Sequence, residues 1–404
     1  MPYTRRDFLR VAAGASTLIS LGPAVPDVLV RAAITAPPQS DRDTVFVAIQ
    51  LTGGNDGLNT VVPYADDEYA RNRPTLRLPT GQLHKIDSRL GFHPRMGAFL
   101  RLYEDGCLSI VQGVGHPNPD QSHERALRIW HTADPQRPER QTGWLGRVAD
   151  LAWNPAAADA AAVLVGPIDR PFALNAENVV VPCVRSMENP AVCSVPVGTS
   201  GITDNTLLDF LRRSTRRACD QSARIEAVVK TGAGSTDYPS FGLAGNLRTI
   251  AQLIRARLGI RIFVVELGGG GIGGFDNHAN QLGNHCALLH ELAESVAAFV
   301  QDLKRDHLLD RALLMTFSEF GRTVRENGRR GTDHGAAAPV FLAGGATGGV
   351  VGPHPSLVDL DNGALRFHTD FRSVYATVLD RWLGFDSQAV LGARFEPLDI
   401  LRRS

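Results

Sequence analysis

The chain has 404 residues, of which 43% are hydrophobic and 21% are charged, a composition typical of a globular protein with a substantial core. Lys+Arg and Asp+Glu are equal at 42 each, so the formal net charge is +0. This balance gives no reason to expect nucleic acid or an anionic membrane surface as a partner. The cysteines form no CxxC pair, which argues against a zinc knuckle or a thioredoxin-type site.

The N-terminus carries an export pattern. Paired arginines, Arg5 and Arg6, precede Phe8-Leu9 and a short apolar stretch rich in Ala, Gly and Ser. This pattern predicts a twin-arginine signal peptide and linker over residues 1–36, the twin-arginine export machinery as a partner, and a periplasmic or secreted location. The apolar stretch is too short and too interrupted by glycine to span a bilayer, and the sequence offers no other transmembrane candidate.

The remainder, residues 37–404, is predicted to form a single domain. Near-continuous apolar runs that end in glycine are typical of buried parallel strands. Such runs occur at 44–54, 107–115, 161–167, 260–271, 313–321 and 339–345. Helical periodicity is seen at 243–258, 280–305 and 370–383, the last with Asp370 as its N-cap and Gly384 as its stop. Alternating strands and helices favour a three-layer α/β/α fold around a mostly parallel central sheet.

The stretch from about 150 to 240 is less regular, and we interpret it as a possible lid or insertion over the site. It is rich in Ala, Pro, Ser and Arg. Its arginine-rich part is most simply a solvated helix face. In an oxidising compartment Cys183 and Cys193, the nearest pair of cysteines, are the best candidates for a disulfide.

Polar side chains follow the predicted strands in glycine-rich turns. The turns are GGNDGLN, GGGGIGGFDNH and SEFGR, and GTDHG precedes the last strand. They carry the candidate residues Asp56, Asp276, His278, Glu319, Arg322, Asp333 and His334. In open α/β sheets ligands bind outside the carboxyl ends of the strands, so we expect these groups to meet at one edge.

Crowded carboxylates would raise one another's pKa, and a divalent cation removes that penalty. Carboxylate oxygen and neutral imidazole nitrogen suit zinc, manganese, magnesium or iron, and we expect one or two divalent ions, with zinc or manganese favoured. Asp56, Asp276, His278, Asp333 and His334 are therefore the predicted metal ligands. The flanking glycines permit close approach of backbone and positive φ.

The segment that follows the second strand, HPNPDQSHERALRIWHT, places Ser122 at the start of a predicted helix. Ser122 is either a metal-activated nucleophile or simply the N-cap, and His123 is either a ligand or a neighbour of the cap. Arg322, together with His123, is expected to neutralise the charge of the transferred group. Three roles stay open for Glu319: a metal ligand, a residue that orients a ligand, or a base.

Simpler alternatives stay open. Gly-Asn-Asp-Gly is a good turn sequence that needs no function, so Asp56 could be a turn residue. The glycine run after Glu266 gives a weak dinucleotide-site hypothesis and, with it, an oxidoreductase. The sequence has no GxSxG elbow, Walker A or HExxH motif.

Several motifs together resemble one known family. TRRDFL, LTGGNDGLNTVVPY, QSHERALRIWHT, GGFDNHANQ, FSEFGRTVRENGRRGTDHG, GGVVGPHPSL and TDFRSVYATVLDRWLG occur in the order typical of DUF1501 proteins. That family consists of exported bacterial proteins and is similar to the alkaline phosphatase and sulfatase superfamily. The resemblance implies an α/β/α fold, metal ions beside a Ser or Thr nucleophile, and hydrolysis of phosphate or sulfate esters.

The resemblance matches an acid after the first strand to Asp56 and a serine after the second to Ser122. It matches a later acid and histidine to Asp276 and His278, and an Asp-His pair to Asp333 and His334. The implied partner is a small-molecule or polymer ester. The alternative is a non-catalytic secreted binding protein that keeps an alkaline-phosphatase-like fold.

Overall fold

The protein is described by a computed structural model. The structure describes residues 43–137, 139–152, 162–167, 169–177, 181, 183–184, 237–257, 259–268 and 274–402. The predicted signal segment, Cys193 and most of the glycine run after Glu266 lie outside the described residues.

Strands of one large sheet organise the chain. The described strands are β1 (Val45–Leu51), β2 (Val61–Val62), β3 (His84–Lys85), β4 (Gly91–Phe92), β5 (Leu108–Gly115), β6 (Ala162–Val165), β7 (Cys183–Val184), β8 (Ile262–Leu267), β9 (Ala312–Phe317), β10 (Ala338–Gly344), β11 (Gly349–Val351), β12 (Leu360–Asp361), β13 (Ala364–Leu365) and β14 (Thr369–Asp370). The 9-stranded sheet has the order β11-β5-β10-β9-β1-β8-β6-β7, with β14 paired to β5. Two small sheets, β2-β4-β3 and β12-β13, lie outside it.

The direction of β10 decides where the site forms. β10 pairs antiparallel with β5 and with β9. The other pairings among the described strands of this sheet are parallel. The start of β10 therefore lies at the edge where β1, β8 and β9 end. Residues just before β10 reach the same rim as residues just after its parallel neighbours.

Helices cover both faces of the sheet. The described α-helices are α1 (Gly57–Thr60), α2 (Asp67–Asn72), α3 (Gly97–Glu104), α4 (His123–Thr132), α5 (Trp144–Ala152), α6 (Gly242–Arg255), α7 (Gln281–Arg305), α8 (Phe371–Ala376) and α9 (Ser387–Leu391). α8 continues into a π-helix over Thr377–Leu383, and short 3-10 turns occupy Thr80–Gln82, Phe172–Leu174 and Leu309–Arg311.

The side chains of β1 alternate between two hydrophobic cores, because successive residues of a strand point to opposite faces. Val45, Val47 and Ile49 join one core with residues of α3, α6 and α7. Phe46 and Ala48 join the other with residues of α4, α5 and α8. The predicted three-layer α/β/α fold with a mostly parallel sheet is confirmed.

The predicted elements match the observed ones closely. Each predicted apolar strand is present, and the helix that begins after Asp370 is capped by its carboxylate, which accepts from the amide of Arg372 at 2.9 Å. Gly384 ends the π-helix in the left-handed conformation, with φ of 74°. Part of the irregular stretch at 150–240 contributes β6 and β7 to the central sheet, and residues 185–236 lie outside the described residues.

Among the described residues, no helix combines the length and apolar character needed to cross a bilayer.

Candidate metal centre

Three loops converge at the carboxyl edge of the central strands. The loop after β8 carries Asp276 and His278, and the loop that precedes β10 carries Asp333 and His334. The third segment leads from β5 into α4, whose first residue is His123. These loops meet because β8 ends, β10 begins and α4 starts on the same side of the sheet.

Asp276 lies at the centre of the cluster. Its Oδ1 is 2.9 Å from Nε2 of His278 and 3.1 Å from Nε2 of His334. Its Oδ2 is 3.4 Å from Nε2 of His123. One ligand atom from each of His123, Asp276 and His334 lies within 4.8 Å of the other two. Nε2 of His278 adds a further donor, 2.9 Å from Nε2 of His334.

The three imidazoles are oriented through their other ring nitrogens. The Nδ1 contacts are His123 with Glu319 Oε1 at 2.8 Å, His334 with the carbonyl of Gln121 at 2.6 Å, and His278 with Asp333 Oδ1 at 3.2 Å. A carbonyl oxygen or an ionised carboxylate can only accept a hydrogen bond, so each Nδ1 carries the proton. In its neutral form each ring presents the lone pair of Nε2 to the cluster, the arrangement that metal-ligating histidines use. The hydrogen bond with Glu319 raises the pKa of His123 despite partial burial, so metal binding at this ring displaces a proton at low pH.

Glu319 is held rigidly behind His123. It is buried, and Oε1 accepts the amide of Gly53 at 2.8 Å as well as the imidazole. Oε2 accepts the hydroxyl of Ser318 at 3.1 Å. This carboxylate therefore orients His123 and does not face the cluster itself.

The ring of the buried Phe320 supports the imidazoles from the side. It stacks on His334 with ring centroids 4.5 Å apart and lies 5.0 Å from the ring of His123. The aromatic contact limits rotation of both imidazoles. The cluster nevertheless remains open, since 43% of the Asp276 side chain and 35% of the His123 side chain are exposed.

The surroundings of the cluster keep the carboxyl groups of Asp276 and Asp333 ionised. Partial burial opposes ionisation of Asp276, but the hydrogen bond and charge of Arg322 outweigh it and lower the pKa to about 2. The hydrogen bond from Asn327 and that from His278 lower the pKa of Asp333 despite some desolvation. Burial lowers the pKa of His334, which favours its neutral form. Neutral imidazole and ionised carboxylate are the forms that bind a metal.

Glycines flank Asp333 and His334 because the backbone comes very close to two other loops. A Cβ at Gly331 would lie 2.2 Å from the carbonyl carbon of His278, and one at Gly335 would lie 2.5 Å from that of Arg322. The segment around Gly335 also pairs with 321–323, and His334 forms an antiparallel bridge with Arg322. These glycines thus serve close approach and not positive φ.

Asp56 does not enter this cluster. It is buried, and its two oxygens accept hydrogen bonds from Arg73 at 2.6 and 3.0 Å. The amide nitrogen of Gln281 also donates to it. Burial acts to raise its pKa, but the charge and hydrogen bonds of Arg73 prevail and lower it to about 2. The predicted role of Asp56 as a metal ligand requires correction, because a guanidinium already binds both oxygens.

The predicted catalytic residues Ser122 and Arg322 differ in exposure: Ser122 lies at the surface and Arg322 is buried. Ser122 is exposed at the N-cap of α4, where its hydroxyl makes no capping hydrogen bond. It lies between Gln121 and His123, which both contact the cluster. Arg322 is buried and donates to Asp276 at 2.6 Å, and its other hydrogen bonds among the described residues go to backbone carbonyls.

The donor set fits a divalent transition metal. Nε2 of His123, His278 and His334 with a carboxylate oxygen of Asp276 supplies imidazole and carboxylate ligands of the kind zinc uses. Manganese accepts the same ligand types. Asp333 and Glu319 contact ligands and not the centre. The sequence left His123 open between ligand and capping neighbour; in the structure α4 brings its Nε2 to 3.4 Å from Oδ2 of Asp276.

Comparison with known proteins gives a match to one family model over part of the chain and distant structural likenesses. The family model described as "Protein of unknown function (DUF1501)" matches residues 212–394. No curated protein matches this chain.

Three solved structures illustrate the likeness in fold. The C-terminal periplasmic domain of EcEptC from Escherichia coli, in complex with Zn, has 10% identity and a TM-score of 0.38 over 75% of this chain and 73% of that chain. A protein in the alkaline phosphatase superfamily from Vibrio parahaemolyticus has 11% identity and a TM-score of 0.38 over 91% and 77%. The PsFucS1 sulfatase from Pseudoalteromonas sp. has 11% identity and a TM-score of 0.39 over 92% and 74%.

Likenesses this distant carry no information about the residues of the site. The resemblance to DUF1501 proteins that the sequence motifs predict is confirmed by the family match over residues 212–394.

Proposed function

We propose that this chain is an exported, metal-dependent hydrolase of phosphate or sulfate esters. The observation that carries the proposal is the meeting of one ligand atom from each of His123, Asp276 and His334 within 4.8 Å of the other two, with Nε2 of His278 2.9 Å from Oδ1 of Asp276. Each imidazole has its Nδ1 engaged by an acceptor, so its metal-binding nitrogen faces inward. Such preorganisation has no evident purpose in a turn that serves only the fold.

In this proposal His123, Asp276, His278 and His334 hold one divalent ion, with zinc or manganese as the candidates. A bound ion of this kind supplies a Lewis acid that stabilises negative charge on the ester oxygens. Asp333 and Glu319 keep two of the imidazoles in the required tautomer. The exposure of Asp276 and His123 leaves room for a substrate to approach the centre.

Ser122 is the proposed nucleophile. Its hydroxyl is exposed and not used for capping, and its neighbours on both sides are anchored at the cluster. The serine oxygen forms a bond to the phosphorus or sulfur of the ester, and the bond to the leaving alcohol oxygen breaks. Water then attacks the covalent intermediate, which releases phosphate or sulfate and restores the hydroxyl. In the first step the serine proton passes to solvent and the leaving alcohol oxygen takes a proton from solvent; in the second, the attacking water supplies the proton that returns to the serine oxygen.

Export through the twin-arginine pathway and a periplasmic or secreted location form part of the same proposal. They rest on Arg5-Arg6 and the residues that follow in the sequence. A pathway that carries folded proteins would allow the metal to be bound before export.

The test combines metal content with turnover. The protein is purified from its own export route, its metal content is measured by elemental analysis, and hydrolysis of aryl phosphates and aryl sulfates is followed with added zinc or manganese. We expect about one ion per chain and turnover of at least one ester class. Absence of stoichiometric metal together with inertness towards both esters would exclude the function.

Three variants and a control assign the result to the cluster and to Ser122. His334→Ala and Asp276→Asn each remove a ligand and should abolish both metal retention and turnover. His307→Asn, at an exposed position with φ of 56°, replaces a histidine that lies at the end of α7 and should change neither. Ser122→Ala should retain the metal and lose turnover.

A further inference from the structure

We propose that Arg322 is a positioning residue that fixes Asp276 and the surrounding loops in the geometry that binds the metal. This inference rests on the proposed function. It departs from the role expected from the sequence, in which Arg322 neutralises the charge of the transferred group. The distinction matters because the two roles predict different responses of metal affinity and turnover.

The first argument is where the guanidinium donates. Nε donates to the carbonyl of Gly54 at 2.7 Å, and Nη1 donates to the carbonyl of Thr332 at 3.0 Å. Nη2 donates to Asp276 at 2.6 Å, to the carbonyl of Phe275 at 3.1 Å, and to the carbonyl of Gly53. A guanidinium has five N–H groups. These contacts occupy all of them except one on Nη1.

The second argument is what the acceptors belong to. Gly53 and Gly54 follow β1, Phe275 and Asp276 follow β8, and Thr332 precedes the Asp333-His334 pair. One side chain therefore joins the turn after β1 to two of the three segments that form the cluster, the loop after β8 and the loop before β10. Through the amide of Gly53, the same turn also holds Glu319, which orients His123.

The third argument is burial. Only 2% of Arg322 is exposed, whereas 43% of the side chain of Asp276 is exposed. An anionic ester at the open face would meet Asp276 and the imidazoles before it met the guanidinium. Arg322 would have to break several short hydrogen bonds to reach a substrate. Its geometry suits the support of a ligand and not direct contact with a reacting group.

The site depends on the planar, forked shape of the guanidinium, whose donors reach several backbone segments at once. A lysine keeps the positive charge, but its three N–H groups share one nitrogen and cannot reproduce the spread of donors with which the guanidinium reaches acceptors on three segments. Arg322→Lys should therefore preserve charge balance and loosen the loops. Loss of a residue that supports a ligand lowers metal affinity by about 10- to 100-fold.

A matched control exists elsewhere in the fold. Arg147 is also buried, and its guanidinium donates to the carbonyls of Val390, Thr142 and Thr132 at 2.5, 2.8 and 2.8 Å. It makes no described contact with the cluster. Arg147→Lys removes a comparable clamp and should lower the stability of the fold without changing metal affinity.

The experiment measures zinc affinity by competition with a chelator, unfolding by denaturant, and ester turnover at saturating zinc. We expect Arg322→Lys to bind zinc about 10- to 100-fold more weakly than wild type and Arg147→Lys to bind it unchanged. If Arg322→Lys binds zinc with wild-type affinity but turns over ester more slowly at saturating zinc, the inference is overturned. Arg322 would then act on the charge of the transferred group, as the sequence predicted. Failure of the wild-type protein to bind zinc or manganese would instead reject the proposed function and this inference with it.

A second variant covers the case in which Arg322→Lys does not fold. Arg322→Ala is refolded with and without low millimolar guanidinium ion, which can occupy the space of the missing fork. The inference expects guanidinium to restore zinc binding. Folded Arg322→Ala that binds zinc with wild-type affinity in the absence of guanidinium would contradict it.

Discussion

At the residue scale, two buried arginines give two of the predicted metal ligands, Asp276 and Asp56, different roles. Asp276 is bound by Arg322 through one oxygen and stays exposed, so the carboxylate can serve a metal. Asp56 is bound by Arg73 through both oxygens and is buried, so it serves the fold. Both carboxylates follow strands in glycine-rich turns, and the sequence offers no signal that separates them. Arg73 lies 17 residues from Asp56, outside any motif.

Removal of the Asp56 charge should therefore destabilise the protein and spare the metal. Asp56→Asn leaves the Arg73 guanidinium buried without its counter-charge, which costs about 3–5 kcal/mol of unfolding free energy. Denaturant unfolding checks the stability, and elemental analysis checks the metal. Asp359→Asn, in an exposed pair with Arg366, is the matched control and should cost less than about 1 kcal/mol. Loss of metal at unchanged stability would restore Asp56 as a ligand.

The same pair has a predictable dependence on pH. The pKa of Asp56 is lowered from 3.8 to about 2 in the folded protein, so its ionised form stabilises the fold. That contribution is complete above the unfolded pKa and is lost as the pH falls through the folded one. The difference in unfolding free energy between wild type and Asp56→Asn should therefore shrink between about pH 4 and pH 2. A difference that stays constant over this range would exclude the assignment.

At the scale of elements, the loop before β10 acts as the closing side of the cluster. It pairs with 321–323, crosses His278 at Gly331, and brings His334 opposite Arg322. Its position depends on contacts between backbones and not on its own secondary structure. Side chains larger than glycine would therefore act on the metal site through the loop.

Gly335→Ala should weaken metal binding on the order of 10-fold, because the added Cβ would lie 2.5 Å from the backbone of Arg322 and displace His334. Gly328→Ala changes the same loop at a point where nothing lies within 4 Å of an added Cβ, and it should bind metal normally. The comparison is made by zinc titration of both variants. Equal weakening in both would show that general loop stiffness, and not this close approach, controls the site.

At the scale of the whole molecule, the sequence predicts the layers and the rim of polar residues but not their pairing. Apolar runs ended by glycine locate β1, β5, β8 and β9, because burial on both faces leaves a clear pattern. The direction of β10 leaves no pattern in the sequence, because an apolar run looks the same whether the strand is parallel or antiparallel to its neighbours. Its reversal places Asp333 and His334 at the carboxyl edge. The role of His123 likewise depends on long-range contacts between α4 and loops that are distant in sequence.

Because the ligands come from loops that follow or precede different strands, metal binding should stabilise the whole domain and not one segment. A ligand that binds only the folded state adds about 2.7 kcal/mol at a free concentration of 100 times its Kd. The melting temperature should therefore rise with zinc concentration and fall again when a chelator is added. His334→Ala should lose this response, whereas His307→Asn should keep it. A zinc-induced rise that persists in His334→Ala would place the bound ion elsewhere, because the cluster would then lack one of the imidazoles on which its geometry depends.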